Sequence, residues 1–539
     1  MPSSHPVALS EDDFPDAAGA SMADLLALAG TPVNARCGQR GLCRGCLVDL
    51  LDGAAVDFDG VIAGPGDGLR SCRLRLPPGG RVVVRVRDEA RGGAAAKVAD
   101  TFSINAPYGL DPAIAMVPGC DTGFAIDLGT TTVAVLLVDL TTGEVLSRAG
   151  ALNAQVRFGD NVVTRIAAGG NAEIRKAMRR ALVEETFLPL LDLACQRAGR
   201  EPARLAGGTL AGNTTMLHIL ADEDPSPLGV APFLPRFLEN RMLVCGEVGL
   251  AMPGLAADAP LHLLPGLAAY LGADISAGIV STGMQLDAEP SLLVDMGTNG
   301  EIVLSHDGRL LGCATAAGPA FEGAGLTSGT RARAGAIRGL SLSENPFAVA
   351  TGVIGGGPVA QAPGLCGSAY VDFLATARTC GLLRGNGRFD DSLWAALPPE
   401  RRFGDDGERA FVAAVGTSLR VSEIDIAHLL QAKAAIGAGI DILLAAAGLE
   451  ASQIGKVYLA GGFGMHVSVP HAIDIGLLPG FGPDQVRVVG NSSLAGAFMA
   501  LVDRAVFSEM AALRGRTEVL ELNLQPGFED SYIDHLRLP

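Results

Sequence analysis

The sequence predicts two units of different class in succession: a small α+β domain, then an α/β body made of two similar lobes. Three observations predict it. Four cysteines, at 37, 43, 46 and 72, fall in the first stretch, three of them on one glycine-punctuated loop. From Thr122 onward apolar strands alternate with long alanine-rich helices, the texture of α/β folds. Within that body the run at 124–135 (Phe-Ala-Ile-Asp-Leu-Gly-Thr-Thr-Thr-Val-Ala-Val) is echoed at 292–303 (Leu-Leu-Val-Asp-Met-Gly-Thr-Asn-Gly-Glu-Ile-Val). Each run is an apolar strand, an Asp-x-Gly-Thr turn and a second strand, so a duplicated unit with a cleft between its copies is expected.

In chain order, Ser21 is placed to cap a short helix over 22–29 and the cysteine loop follows. Residues 47–51 read as a strand, and 81–87, Arg-Val-Val-Val-Arg-Val-Arg, as a clearer one. Gly64, Pro65, Gly66, Pro77, Pro78, Gly79 and Gly80 mark the turns between them. These elements set a first domain at 1–89. Periodicity is then lost, with Gly92-Gly93 and scattered prolines, so 90–121 reads as a linker that lets the first domain move. The echoed run divides the remainder into lobes at 122–288 and 289–539.

The spacing Cys37-x5-Cys43-x2-Cys46, closed by Cys72, is close to the plant-type arrangement that holds a [2Fe-2S] cluster, with one extra residue in the first interval. Gly38, Gly41 and Gly45 suit a loop whose N–H groups turn inward to cluster sulfurs. Arg40 and Arg44 are placed to screen the cluster's negative charge. Two other readings stay open: a structural zinc site, which usually takes two short Cys pairs where only Cys43 and Cys46 form one, and a disulfide framework. The cysteines at 120, 195, 245, 313, 366 and 380 contain no C-x2-C and read as small apolar residues. His218, His262, His428, His466 and His471 show no familiar metal spacing and read as structural.

A chain of 539 residues with 48% hydrophobic residues has material for several cores, although aromatics are only 5%. No membrane span is expected, because the longest apolar candidate, 434–449, carries Asp441 and reads as a buried helix. The N-terminal stretch is acidic and lacks an apolar leader core, which points to the cytoplasm. A net charge of −17 argues against nucleic acid as a main partner. Arg331 and Arg333 read as solvated surface charges.

An aspartate at a strand end followed by a glycine-threonine turn suits phosphate chemistry. Glycine admits close backbone approach, successive N–H groups form an anion nest, and threonine hydroxyls add donors. The carboxylates, repelled by phosphate, would hold Mg²⁺ through its waters or orient an attacking water. A third element, 457–464 (Val-Tyr-Leu-Ala-Gly-Gly-Phe-Gly), is a strand entering a glycine-rich turn with room for a base and ribose. No P-loop is present.

These three motifs in this order resemble the superfamily of acetate kinase, sugar kinases, heat-shock chaperone ATPases and actin. With the cysteine domain in front, the chain more narrowly resembles the reductive activators of corrinoid proteins. That match includes the stretches 153–155, 159–160, 212–216, 232–233, 272–274, 316–323, 366–368 and 432–435. The resemblance implies a ferredoxin-like α+β head of the β-grasp type and an actin/sugar-kinase-like body of two RNase-H-like lobes. It implies ATP-dependent reduction of an inactive Co(II) corrinoid to Co(I). By motif, Cys37, Cys43, Cys46 and Cys72 would hold the [2Fe-2S] cluster. Asp127 and Asp295 would be catalytic with Mg²⁺; Gly129, Thr130, Thr131 and Thr132 would face the ATP phosphates from one lobe, and Gly297, Thr298, Asn299 and Gly300 from the other. Gly461, Gly462 and Gly464 would border the adenosine. Gln39 and Arg44 stand where this family's cluster loop is often glycine. Implied partners are the corrinoid protein of a methyltransferase or a corrinoid-dependent methionine synthase, an upstream low-potential electron donor and, as an admissible assembly, a second copy in a homodimer.

Plant-type clusters lie near about −400 mV, and the Co(II)/Co(I) step is expected to be harder. A shortfall of about 200 mV corresponds to about 4.6 kcal/mol, a range that nucleotide-linked conformational change can cover. Two other classes fit the same residues: a small-molecule kinase with a regulatory cluster, and a nucleotide-gated electron-transfer module. Glu322 is the best extra candidate for the cleft. Asn213 begins either a substrate-facing turn or a helix cap, Cys366 opens a helix, and Lys433 either reaches the nucleotide or corrinoid partner or snorkels.

Overall fold

A computed structural model describes residues 6–14, 19–29, 31, 33, 46–87, 98–159, 161–315, 317–344, 347–405 and 408–539. Cys37 and Cys43, together with the glycines and arginines of their loop, lie outside the described residues, as does Asp160.

The first domain pairs β1 (Val7–Ser10), β2 (Leu47–Gly53), β3 (Gly66–Arg70) and β4 (Arg81–Val86) in the order β1-β4-β2-β3, each neighbouring pair antiparallel. Helix α1 (Met22–Leu28) starts at Ser21, whose hydroxyl accepts the Asp24 N–H at 3.1 Å, as the cap position predicts. Alternation along β4 buries Val82, Val84 and Val86 against Met22, Leu26, Cys46 and Cys72 in one small core.

In the first lobe lie β5 (Thr122–Leu128), β6 (Thr132–Asp139), β7 (Val145–Leu152), β8 (Leu205–Gly212), β9 (Arg241–Val244) and β10 (Pro260–Leu263), ordered β7-β6-β5-β8-β10-β9. In the second lie β11 (Ser291–Met296), β12 (Gly300–His306), β13 (Arg309–Thr315), β14 (Lys456–Ala460), β15 (Val486–Gly490) and β16 (Thr517–Val519), ordered β15-β14-β11-β12-β13-β16. The duplication is visible in the pairing. β5-β6-β7 and β11-β12-β13 are antiparallel meanders, and β5 and β11 each take a parallel neighbour, β8 and β14.

Among the helices that frame the cleft, α2 (Thr214–Leu220) and α3 (Ala273–Thr282) follow β8 and β10, and α4 (Gly367–Thr379) and α5 (Glu423–Ala447) follow β13. The short α6 (Gly461–Gly464) and α7 (Ser492–Val502) follow β14 and β15. Helix α5 alone among the described residues is long and apolar enough to cross a membrane, and it is mostly buried in the second lobe's core. Its Asp441 accepts hydrogen bonds from Ser531 and His535, both at 2.8 Å.

Two features depart from a simple partition of the chain. Helix α7 belongs by sequence to the second lobe, yet Leu494, Ala497, Phe498 and Leu501 join the core beneath the first sheet. There Gly496 meets α3 so closely that a Cβ would stand 2.3 Å from the Ala277 carbonyl oxygen. The segment expected as a linker is also fastened over 98–121. Ser103 N–H donates to Val489 O at 3.0 Å, Asn105 N–H to Ser281 O at 3.0 Å and Asp111 N–H to Val502 O at 2.8 Å. The rest of the expected linker, 90–97, lies outside the described residues.

Candidate functional site: a polar cleft between the lobes

The two Asp-x-Gly-Thr turns open onto one cavity of about 290 Å³. It is walled by Asp127 and Gly129 to Thr132 from the first lobe and by Asp295 and Gly297 to Asn299 from the second, with Gly461 and Gly462 at one side. The parallel pairing of β11 with β14 brings Asp295 beside Ala460, so the second turn and the glycine turn emerge together. Gly461 has φ +90°, and a Cβ there would stand 2.4 Å from Met296 O and 2.9 Å from Asp295 Oδ1; only glycine fits that corner. Gly300 and Gly464, expected to face the nucleotide, stand behind the wall, packed against Ile436 and Leu459.

The turns touch across the lobes. Thr131 and Thr298 hydroxyls lie 2.9 Å apart, and Thr298 Oγ1 donates to Glu322 Oε1 at 3.4 Å, so Thr131 is the donor in the pair. Asn213 is a helix cap, its Oδ1 accepting the Met216 N–H of α2 at 3.0 Å, and it also lines the cavity, where its Nδ2 donates to Thr130 Oγ1 at 2.9 Å. That bond leaves the Thr130 proton free to donate to a ligand.

Six carboxylates line the cavity, and four of them, Asp127, Asp274, Asp295 and Glu301, raise one another's values or are raised by burial together. Burial, then Asp127, pushes Asp295 up to about 7. Burial, then Asp295 and Asp127, pushes Asp274 up to about 7 as well. Glu301 is raised well above the ordinary carboxylate value by burial, Asp274 and Asp295. For Asp127 burial outweighs hydrogen bonds from Ser493 Oγ at 2.7 Å and Asn491 Nδ2 at 2.8 Å, and its value also rises. Crowded carboxylates of this kind favour a proton or a cation. Among the described residues, no three His, Cys, Asp or Glu side chains form a metal cage by themselves.

Asp274 and Glu301 carried no role in the sequence reading. Asp274 stands in the first turn of α3 and Glu301 inside β12, where neither spacing nor a turn marks it. Asn491 and Ser493 were missed as well, since only the fold brings them to Asp127. Glu322 does line the cavity. Three other expectations change. Arg331 is no solvated charge: its side chain is 16% exposed, lines the cavity and lies 3.8 Å from Glu322. His466 and Cys366 also stand on the wall, and Cys366 opens α4 as expected. Lys433 reaches no ligand space; its Nζ donates to Arg537 O at 2.6 Å in the core.

The matches to known proteins follow this architecture. A family profile described as the C-terminal domain of RACo, the ASKHA domain, covers residues 289–539, and one for the RACo middle region covers 122–287. The corrinoid activation enzyme RamQ of Eubacterium limosum is 32% identical over 429 residues, 76% of this chain and 69% of that protein. The chain belongs to the RACo family of reductive activators of corrinoid proteins. A second relative, the [Co(II) methylated amine-specific corrinoid protein] reductase of Methanosarcina barkeri, is 24% identical over 404 residues, 69% of this chain and 68% of that one. A solved reductive activator for corrinoid, iron-sulfur protein superposes with a TM-score of 0.73 at 28% identity, covering 99% of this chain and 96% of that one. The RACo body therefore has the ASKHA fold of actin and the sugar kinases.

Proposed function

We propose that this chain reduces the Co(II) form of a corrinoid protein to Co(I), using one electron from a [2Fe-2S] cluster and ATP bound with Mg²⁺ between the lobes. The observation that carries this is the meeting of both Asp-x-Gly-Thr turns over one polar cavity in a RACo-family body. RamQ is a corrinoid activation enzyme and the M. barkeri relative reduces a Co(II) corrinoid protein; the same class of partner is assigned to this chain.

The residues present fit both groups. Cys46 and Cys72 are buried with sulfurs 3.2 Å apart, beyond disulfide length. The Cys72 side chain, helped by Ser71 and Arg70 against burial, pulls the Cys46 thiol down to about 6, toward the thiolate that binds iron. With Cys37 and Cys43 they would complete the ligand set of a ferredoxin-like domain at 1–89, joined through 90–121 to lobes at 122–288 and 289–539. A bound cluster supplies a one-electron reductant. At the cleft, Ser492 Oγ and Glu322 Oε2 are buried without hydrogen-bond partners among the described residues, as a polar ligand site requires. The crowded carboxylates suit Mg²⁺ arriving with phosphates and held through waters. Thr130 supplies a free hydroxyl donor, its oxygen already accepting from Asn213, and the glycine turn leaves room for the adenosine. A low-potential donor upstream, a cytoplasmic setting and a homodimer as an admissible assembly complete the reading.

The test mixes the reduced protein with a Co(II) corrinoid protein under a low-potential donor, with and without MgATP, and follows Co(I) absorbance. ATP-dependent Co(I) is expected. Its absence removes the reading, and phosphorylation of a small alcohol instead would favour a kinase.

A further inference from the structure

Asn491 joins two parts of the molecule through one side chain. It follows β15 and caps α7, its Oδ1 accepting the Leu494 N–H at 2.8 Å. Its Nδ2 donates to Asp127 Oδ2 at 2.8 Å and also to Ala99 O at 2.8 Å. Its backbone N–H donates to Thr101 O at 3.0 Å. Both protons of the side-chain amide are thereby committed, one to a carboxylate of the cleft and one to the strip that leads from the cysteine-bearing domain.

That strip is itself part of the cleft. Val98, Ala99, Asp100 and Thr101 line the same cavity as the two turns. Thr101 Oγ1 donates to Met465 Sδ at 3.7 Å, beside the glycine turn. On its other side Arg148 of β7 donates to Asp100 O and lies over the Phe102 ring, 4.9 Å from its centroid. A ligand in the cavity therefore meets a wall made by the chain on its way out of the first domain.

We propose that Asn491 is a positioning residue that couples occupancy of the nucleotide cleft to the strip 98–104, through the amide it shares between Asp127 and Ala99. The inference rests on the nucleotide reading above. Charge brought next to Asp127 changes how strongly and in what direction that carboxylate holds the Asn491 amide. Because the amide is planar and rigid, a rotation at one proton is carried to the other, which holds Ala99. The strip thus has a different stability in the two states of the cleft, which is what any ligand-driven shift requires.

The alternative is that Asn491 serves only as a helix cap, and two substitutions separate the roles. Asn491→Asp keeps an oxygen for Leu494 N–H and nearly the same volume but loses both donated protons; aspartate caps helices about as well as asparagine. Asn491→Ala loses all three bonds. Hydrogen exchange is followed over 98–104 in the full chain, with and without saturating Mg²⁺ and a non-hydrolysable ATP analogue, while calorimetry measures analogue binding. In the unaltered protein the analogue is expected to slow exchange of the strip about fivefold or more. Both substitutions should abolish that slowing with analogue still bound, and both should lower the thermal midpoint, Asn491→Asp because its carboxylate faces Asp127 although the cap is kept. Undiminished slowing in Asn491→Asp would reduce the residue to a cap and overturn the coupling. Bound analogue with no slowing in the unaltered protein overturns the coupling and leaves the nucleotide reading standing. No analogue binding removes both.

Discussion

Asp295 carries the strongest single consequence of the cleft's electrostatics. Replacing it with Asn keeps the shape of the turn and removes one of the crowded charges, so ATP turnover is expected to fall by roughly 10²-fold or more. The cluster's EPR spectrum should stay as it was; normal turnover would withdraw the residue from its assigned role. Cys43→Ala is the converse, expected to erase the reduced [2Fe-2S] EPR signal, and an unchanged spectrum would mean a different ligand set. Lys433 offers a test independent of any ligand. It is 1% exposed, and burial lowers it from its ordinary value to about 8. The unfolded chain keeps that proton to about pH 10.4, so between these values the unfolded state binds more protons and stability rises with pH. Lys433→Met should flatten the rise, measured as denaturant midpoints at pH 7 and pH 10. At this scale the sequence revealed Asp127 and Asp295 because a turn with glycine and threonine frames each. Asp274 and Glu301 have ordinary neighbours in sequence, and their chemistry comes from burial and from two further carboxylates each that the fold sets beside them.

Two strands and the cap of the first domain, and the C-terminal half of α5, are local and were legible: Ser21 caps α1, and period-two alternation marks β4, whereas β1 and β3 carry no such pattern and were not read. Helix α7 was not legible in its placement. It is apolar all round, with every residue from Ser492 to Val502 buried, so it has no stripe to say which sheet it covers. What fixes it is the close contact of Gly496 with Ala277 in α3. Gly496→Ala is therefore expected to destabilise the protein by about 1–3 kcal/mol through overpacking, although alanine has the better helix propensity. Thermal unfolding checks the sign. A neutral or stabilising result would mean that α3 and α7 have room to separate.

The whole molecule is a duplication that has been tied together twice, by α7 beneath the first sheet and by the strip 98–121 laid along both lobes. Shared packing of that kind predicts that the two lobes melt in one calorimetric transition. Nucleotide at about a hundred times its dissociation constant should raise the body's stability by about 2.7 kcal/mol. Two separate transitions would show that the ties are too weak to make the lobes one cooperative unit. The echoed strand-turn-strand runs made the two-lobed body readable, because a repeat announces itself at any distance. The crossing of α7 depends on contacts more than two hundred residues apart, as between Gly496 and Ala277 or Phe498 and Phe102, and no local pattern records them.

The borrowed helix also bears on how the protein is made. On the ribosome the first sheet is complete long before α7 emerges, and until then the apolar face destined for Phe498 and Leu501 lacks its cover. A gene cut near residue 290 would encode that open face permanently, which makes the fragment a candidate for inclusion bodies and not a free-standing lobe.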